Sequence, residues 1–148
     1  MLDELQTDLK NAQLAHDELK VSTLRLLLSE IHNVEIQKGT PVSREDVILV
    51  LQREAKKRKE AAFGFRAGGR EEAAAKEEAE LKILESYLPL QLSNEELTKI
   101  VLDTINELGA NSPADMGKVI GAVIGKVKGR ADGATVSNLV KERLLVSS

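Results

Sequence analysis

The run MGKVIGAVIGKVKGRADG, residues 116–133, holds half of the chain's ten glycines at an unbroken spacing of four, with Lys118, Lys126, Lys128 and Arg130 among them. Glycine costs a helix interior up to about 1 kcal/mol relative to alanine. Such a repeat therefore points to something that must approach the backbone closely. On a helical projection, Met116, Val119, Ile120, Val123, Ile124 and Val127 form one apolar arc, while Gly117, Gly121 and Gly125 form a second, displaced by roughly 130° from the first. Lys128 falls within the glycine arc and Lys118 beside it. Glycines serving helix contact inside the domain would lie in the apolar stripe instead. Bare backbone beside Lys118, Lys126, Lys128 and Arg130 suits the phosphates of a nucleic acid, read by backbone and shape. The other occupant that fits is a second lobe of the same protein.

A second group is expected to be structural. Glu54 and Arg58 project into the apolar face of their helix, four residues apart and correctly ordered for an ion pair. Arg25, on the preceding helix, lies near the same level if the two helices run antiparallel. A partly buried Arg25, Glu54, Arg58 network is the expectation.

Other candidates fall away. Glu71, Glu72, Glu77, Glu78 and Glu80 alternate with lysines, the pattern of a solvated helix rather than a metal or acid–base site. His16 and His32 share no ligand spacing, so no metal site is expected. The serines lack a nucleophile-elbow pattern and a plausible histidine base. Neither a P-loop nor a dinucleotide-binding glycine pattern is present. The residues offer no catalytic constellation, and no cofactor and no small-molecule substrate are implied.

These side chains need elements to position them. The 148 residues include only three aromatics and no cysteine, and usage leans on Leu, Ala, Val, Glu and Lys, which favours helices and suits a reducing compartment. No apolar run approaches the roughly 18 residues of a membrane span, and the opening Met1-Leu2-Asp3-Glu4 is acidic; a cytoplasmic protein without a membrane partner is the expectation. The net charge of −3 conceals a basic stretch, with Arg53, Lys56, Lys57, Arg58, Lys59, Arg66 and Arg70 set against Glu54 and Glu60. A solvated face neutralising the acidic helix that follows is the simple reading.

Periodicity predicts helices from Leu2 to about Ala15, from about Leu19 to Lys38, and from a Ser43 cap to about Phe65, with the fourth from Glu71 to Tyr87. Pro89 closes that set. A capping box at Ser93–Glu96 opens a helix ending at Gly109. Ser112-Pro113-Ala114-Asp115 starts the glycine helix, with Gly129 its stop, and Asp132 caps a last one from Gly133 to about Leu145. The reading is an all-α protein: an N-terminal domain of about four helices, residues 1–91, and a three-helix tail domain, residues 92–148.

Thr23-Leu24-Arg25-Leu26-Leu27-Leu28-Ser29-Glu30, Arg53-Glu54 with Lys56 and Arg58, Tyr87-Leu88-Pro89, and Met116-Gly117-Lys118-Val119 followed by Lys128-Gly129-Arg130-Ala131-Asp132-Gly133 resemble the YqeY, or GatB/YqeY, family. The resemblance spans essentially the whole chain. It implies an all-helical domain followed by a three-helix domain similar to the C-terminal part of the amidotransferase B subunit, which engages tRNA. By that resemblance the partner is tRNA or a tRNA-processing enzyme. The amidotransferase's catalytic domain has no counterpart in these residues, so a carbon–nitrogen ligase role with glutamine as amido donor would require other subunits. A helical protein-interaction module is the further alternative.

Overall fold

The structure, a computed structural model, describes the backbone of residues 1–147 and the side chains of residues 1–145. Ser148, the last residue of the expected tail domain, lies outside the described residues. Among those described, all regular structure is helical: α1 (Leu2–Leu14), α2 (Glu18–Lys38), α3 (Arg44–Ala67), α4 (Glu71–Glu85), α5 (Asn94–Leu108), a 3-10 turn (Pro113–Asp115), α6 (Met116–Val127) and α7 (Gly133–Ser147). The chain divides into two compact units, Met1–Leu88 and Pro89–Ser148.

In the first unit the spacing of leucines decides which faces are buried. Leu5 of α1, Leu24, Leu27 and Ile31 of α2, Val47 and Leu51 of α3 and Leu84 of α4 form its core, all of them at most 1% exposed. Full burial of such a side chain is worth about 1.5–3 kcal/mol. The caps hold the helices to these limits. Asp17 accepts the Lys20 N–H at the start of α2. At α3 the Ser43 hydroxyl accepts the Asp46 N–H while the Asp46 carboxylate accepts the Ser43 N–H, so two orphan donors are satisfied reciprocally. Lys38 reaches the same carboxylate at 2.6 Å from the last turn of α2, and its hydrogen bond, more than the backbone donor, holds the Asp46 carboxyl below the usual carboxylate range. Gly68 and Gly69 turn the chain, and α4 packs back along α3 as an antiparallel hairpin. Tyr87 then donates to Asp8 Oδ2 at 2.6 Å and ties the end of α4 to α1.

In the second unit Leu97 and Val101 of α5, Val119, Val123 and Val127 of α6, and Val136, Val140 and Leu144 of α7 meet in a separate core. Ser93 accepts the Glu96 N–H and opens α5; Asp132 accepts the Thr135 N–H at 2.8 Å and opens α7. Three local details differ from the expectation. Pro113 begins a 3-10 turn whose flanking Ser112 makes no side-chain cap, so the α-helix itself starts at Met116. Ile124, at the edge of the expected apolar arc, is 45% exposed, because the buried ridge of α6 is the narrower Val119, Val123, Val127 line. The helix also stops one residue early, with Lys128 taking the left-handed conformation (φ 45°, ψ 55°) ahead of Gly129 (φ 84°).

Candidate nucleic-acid interface

Val119, Val123 and Val127 commit one side of α6 to the core, with Met116 and Ile120 partly buried against it, and the opposite side is left to solvent. Gly117, Gly121 and Gly125 lie on that side and are exposed. A Cβ added to any of the three would meet no described atom of its own unit within 4 Å. Packing within the unit therefore does not require glycine at these positions.

The four cations assigned to this face divide into two pairs. Lys118 and Lys128 are exposed, and neither forms an ion pair among the described residues. Lys128 ends the helix with an unusual backbone: its N–H closes the helix onto the Ile124 carbonyl at 3.1 Å, and its left-handed φ is one that residues other than Gly, Asn and Asp rarely take. Lys126 and Arg130, in contrast, have internal partners. Lys126 Nζ donates to Thr104 Oγ1 at 2.9 Å and to Glu107 Oε2 at 2.8 Å, joining α6 to α5. Arg130 Nε donates to the Leu90 carbonyl at 3.0 Å, and its own carbonyl accepts the Leu92 N–H at 2.8 Å. Of the four expected phosphate cations, Lys118 and Lys128 thus form no ion pair among the described residues, while Lys126 and Arg130 also tie elements of their own unit together. The helical projection measures distance from the apolar arc and carries no information about acids on neighbouring helices, so it could not separate the two pairs.

The Arg25, Glu54, Arg58 network does not form, and this corrects the expectation. Glu54 is buried as expected, 3% exposed, but its carboxylate meets Lys57 at 3.3 Å. Arg58 turns to α4, where its Nε lies 2.8 Å from Glu80 Oε2 and 3.6 Å from Glu77 Oε2 as an ion pair without hydrogen-bond alignment. Arg25 is exposed on the wall of an open pocket with His16, Glu18 and Ser22. The physical reason is reach: α4 packs directly on α3 and offers two carboxylates at the level of Arg58. The acids of α4 are thus more than a solvated face, since Glu80 is only 8% exposed. A signal for this pairing was available, because residues 58 and 80 stand equally far from Gly69, the pivot of an antiparallel hairpin.

Among the described residues, no group of three or more His, Asp or Glu side chains is arranged to hold a metal ion, and no helix is long and apolar enough to cross a membrane. His16 and His32 lie apart on α1–α2 surfaces, His32 facing Glu35 at 3.9 Å.

The arrangement defines an all-helical protein of two units whose second unit exposes bare helix backbone beside lysines. The chain belongs to the Yqey-like protein family, whose model matches residues 2–144. It is similar to the Pyrenophora tritici-repentis protein named "Altered inheritance of mitochondria protein 41, mitochondrial", with 32% identity over 149 residues covering 96% of this chain and 80% of the relative. The Clavispora lusitaniae protein of the same name is 32% identical over 86% of this chain and 74% of its own length. A Vanderwaltozyma polyspora relative, again so named, is 39% identical over 57% of this chain and 46% of its own length. These names correct the expectation of a cytoplasmic protein, for each describes a mitochondrial one. The absence of cysteine, one ground for that expectation, does not distinguish one reducing compartment from another.

Proposed function

We propose that the protein is a non-catalytic accessory of tRNA metabolism, binding tRNA, alone or with a tRNA-processing enzyme, through the exposed face of α6. One observation carries the reading. Gly117, Gly121 and Gly125 have room for a methyl group, and alanine at each would favour the helix by about 0.5–1 kcal/mol, yet all three are glycine. Close approach by a partner backbone explains that choice, and Lys118 and Lys128 supply positive charge beside it. The resemblance to the tRNA-engaging C-terminal part of the amidotransferase B subunit gives the reading its RNA class. In it the four helices of the first unit and the three of the second act as separate helical and tail domains.

The test is band shift or filter binding with bulk tRNA over a series of salt concentrations. Gly121→Ala is expected to raise the melting temperature while weakening tRNA binding. The Lys118→Ala/Lys128→Ala variant is expected to flatten the salt dependence by about two in log–log slope, since each lost phosphate contact contributes about 0.9. Unchanged affinity in both variants would refute the site.

A further inference from the structure

The seven cations between Arg53 and Arg70 have very different surroundings. Lys57 is held by Glu54, and Arg58 by Glu77 and Glu80. Arg66 is engaged by Glu71 at 3.1 Å and by Glu78, and Arg70 lies 5.1 Å from the centre of the Phe65 ring. Arg53, Lys56 and Lys59 remain: all three are exposed, and none forms an ion pair among the described residues. They follow one another at three-residue steps toward Phe63, a residue 78% exposed, and on a helical projection the four fit within a sector of about 120°. From Arg53 to Phe63 the stripe runs about 15 Å along α3. Between Leu49 and Phe63 this face carries Glu60, and Glu30 of α2 lines a hollow beside Arg53, so the three cations stand against two acids and a positive surplus remains.

Beside the ring, Lys59, Ala62, Phe63, Arg66, Glu78 and Leu81 line an open hollow of about 400 Å³ between α3 and α4, within the range of small-ligand sites, and its one acid, Glu78, is paired with Arg66. An aromatic platform at the end of a track of unpartnered cations is the combination that holds single-stranded nucleic acid, bases stacking and phosphates following the charge. A partner helix is a poorer match. Such a helix needs apolar anchors on successive turns, whereas the exposed Leu49 and Phe63 are four turns apart with Arg53, Lys56 and Glu60 between them.

We infer that the outward face of α3 binds unpaired nucleic acid, with a base stacked on Phe63 and the adjoining phosphates on Lys59, Lys56 and Arg53. This site is separate from the face of α6 and does not depend on it.

The test uses the full-length chain and a short fluorescein-labelled oligouridine, read by fluorescence anisotropy over a salt series, with a hairpin duplex and an acidic amphipathic peptide as competitors. Phe63→Ala is expected to weaken oligouridine binding about five- to 150-fold with the salt slope unchanged, and Phe63→Tyr to retain it. Lys56→Ala/Lys59→Ala is expected to reduce the slope by about 1.4, the single-strand value for two phosphates. Because all three side chains are exposed, each variant should keep its helical circular dichroism. Oligouridine binding that Phe63→Ala leaves intact overturns the inference, as does peptide binding tighter than oligouridine, which assigns the face to a protein. Lys118→Ala/Lys128→Ala provides the separation. If that variant loses tRNA while Phe63→Ala changes no binding, the α3 inference fails and the α6 reading stands. If it keeps tRNA while Phe63→Ala loses oligouridine, the reverse holds.

Discussion

Arg58 on α3 and Glu80 on α4 face each other across the hairpin with Nε and Oε2 2.8 Å apart, both side chains largely shielded from water at 15% and 11% exposure. Removing one member of such a pair strands the other charge in a poorly solvated place. Glu80→Ala is therefore expected to lower stability by about 3 kcal/mol, although Glu77 remains near Arg58. Replacing both members with apolar residues, Arg58→Met/Glu80→Leu, should cost far less. Urea unfolding followed by circular dichroism measures both, and equal losses in the two variants would contradict the assignment.

Lys128 separates stability from binding at a single position. Its left-handed backbone is strained for any residue with a Cβ, so Lys128→Gly should stabilise the protein by about 0.5–1 kcal/mol. The same change removes a cation from the proposed tRNA face. Higher melting temperature together with weaker tRNA binding is the expected pair of results. Lys128→Ala should weaken binding equally while keeping the strain.

Acid should act on the junction between α2 and α3. The Asp46 carboxyl is depressed by its hydrogen bond to Lys38 and by the Ser43 N–H, so its folded value lies below its unfolded one. The stability it contributes is complete above the ordinary aspartate value of about 3.9 and is lost as pH falls through the folded value. Asp46→Asn should remove that part of the acid dependence, and Lys38→Ala should diminish it. A stability profile between neutral pH and strong acid makes the comparison.

Tyr87 provides the opposite case. Burial, followed by its hydrogen bond to Asp8, pushes the phenol well above its ordinary value. Its contribution is present below the ordinary tyrosine value of about 10 and fades as pH rises through the folded one. Tyr87→Phe should cost about 1.5–3 kcal/mol at neutral pH, the range for a hydrogen bond to a charged group, as measured by urea unfolding.

Helix type and core faces were legible in the sequence because they depend on local spacing. The Leu24, Leu27, Ile31 stripe and the Ser43 cap each act within a turn or two, and the structure holds both. Partner choice is less local. Glu54 was legible as a buried acid, but its pairing with Lys57 instead of Arg58 depends on α4 supplying Glu77 and Glu80. Lys126 read as a surface cation until α5 placed Thr104 and Glu107 beside it. The exposure of Phe63 was not legible either, since an aromatic in a helical pattern ordinarily marks a core.

The Leu90–Leu92 segment precedes α5, yet it is bonded to the turn that follows α6: Arg130 holds Leu90 and Leu92, and Gln91 donates to the Gly129 carbonyl at 3.1 Å. Helix limits are thus a poor guide to where the second unit can be cut for isolated expression. A fragment opening at Asn94, the first residue of α5, would discard these three hydrogen-bonding residues and uncover the Gly129–Arg130 turn. One opening at Pro89 would retain them, and it should be the more resistant of the two to protease.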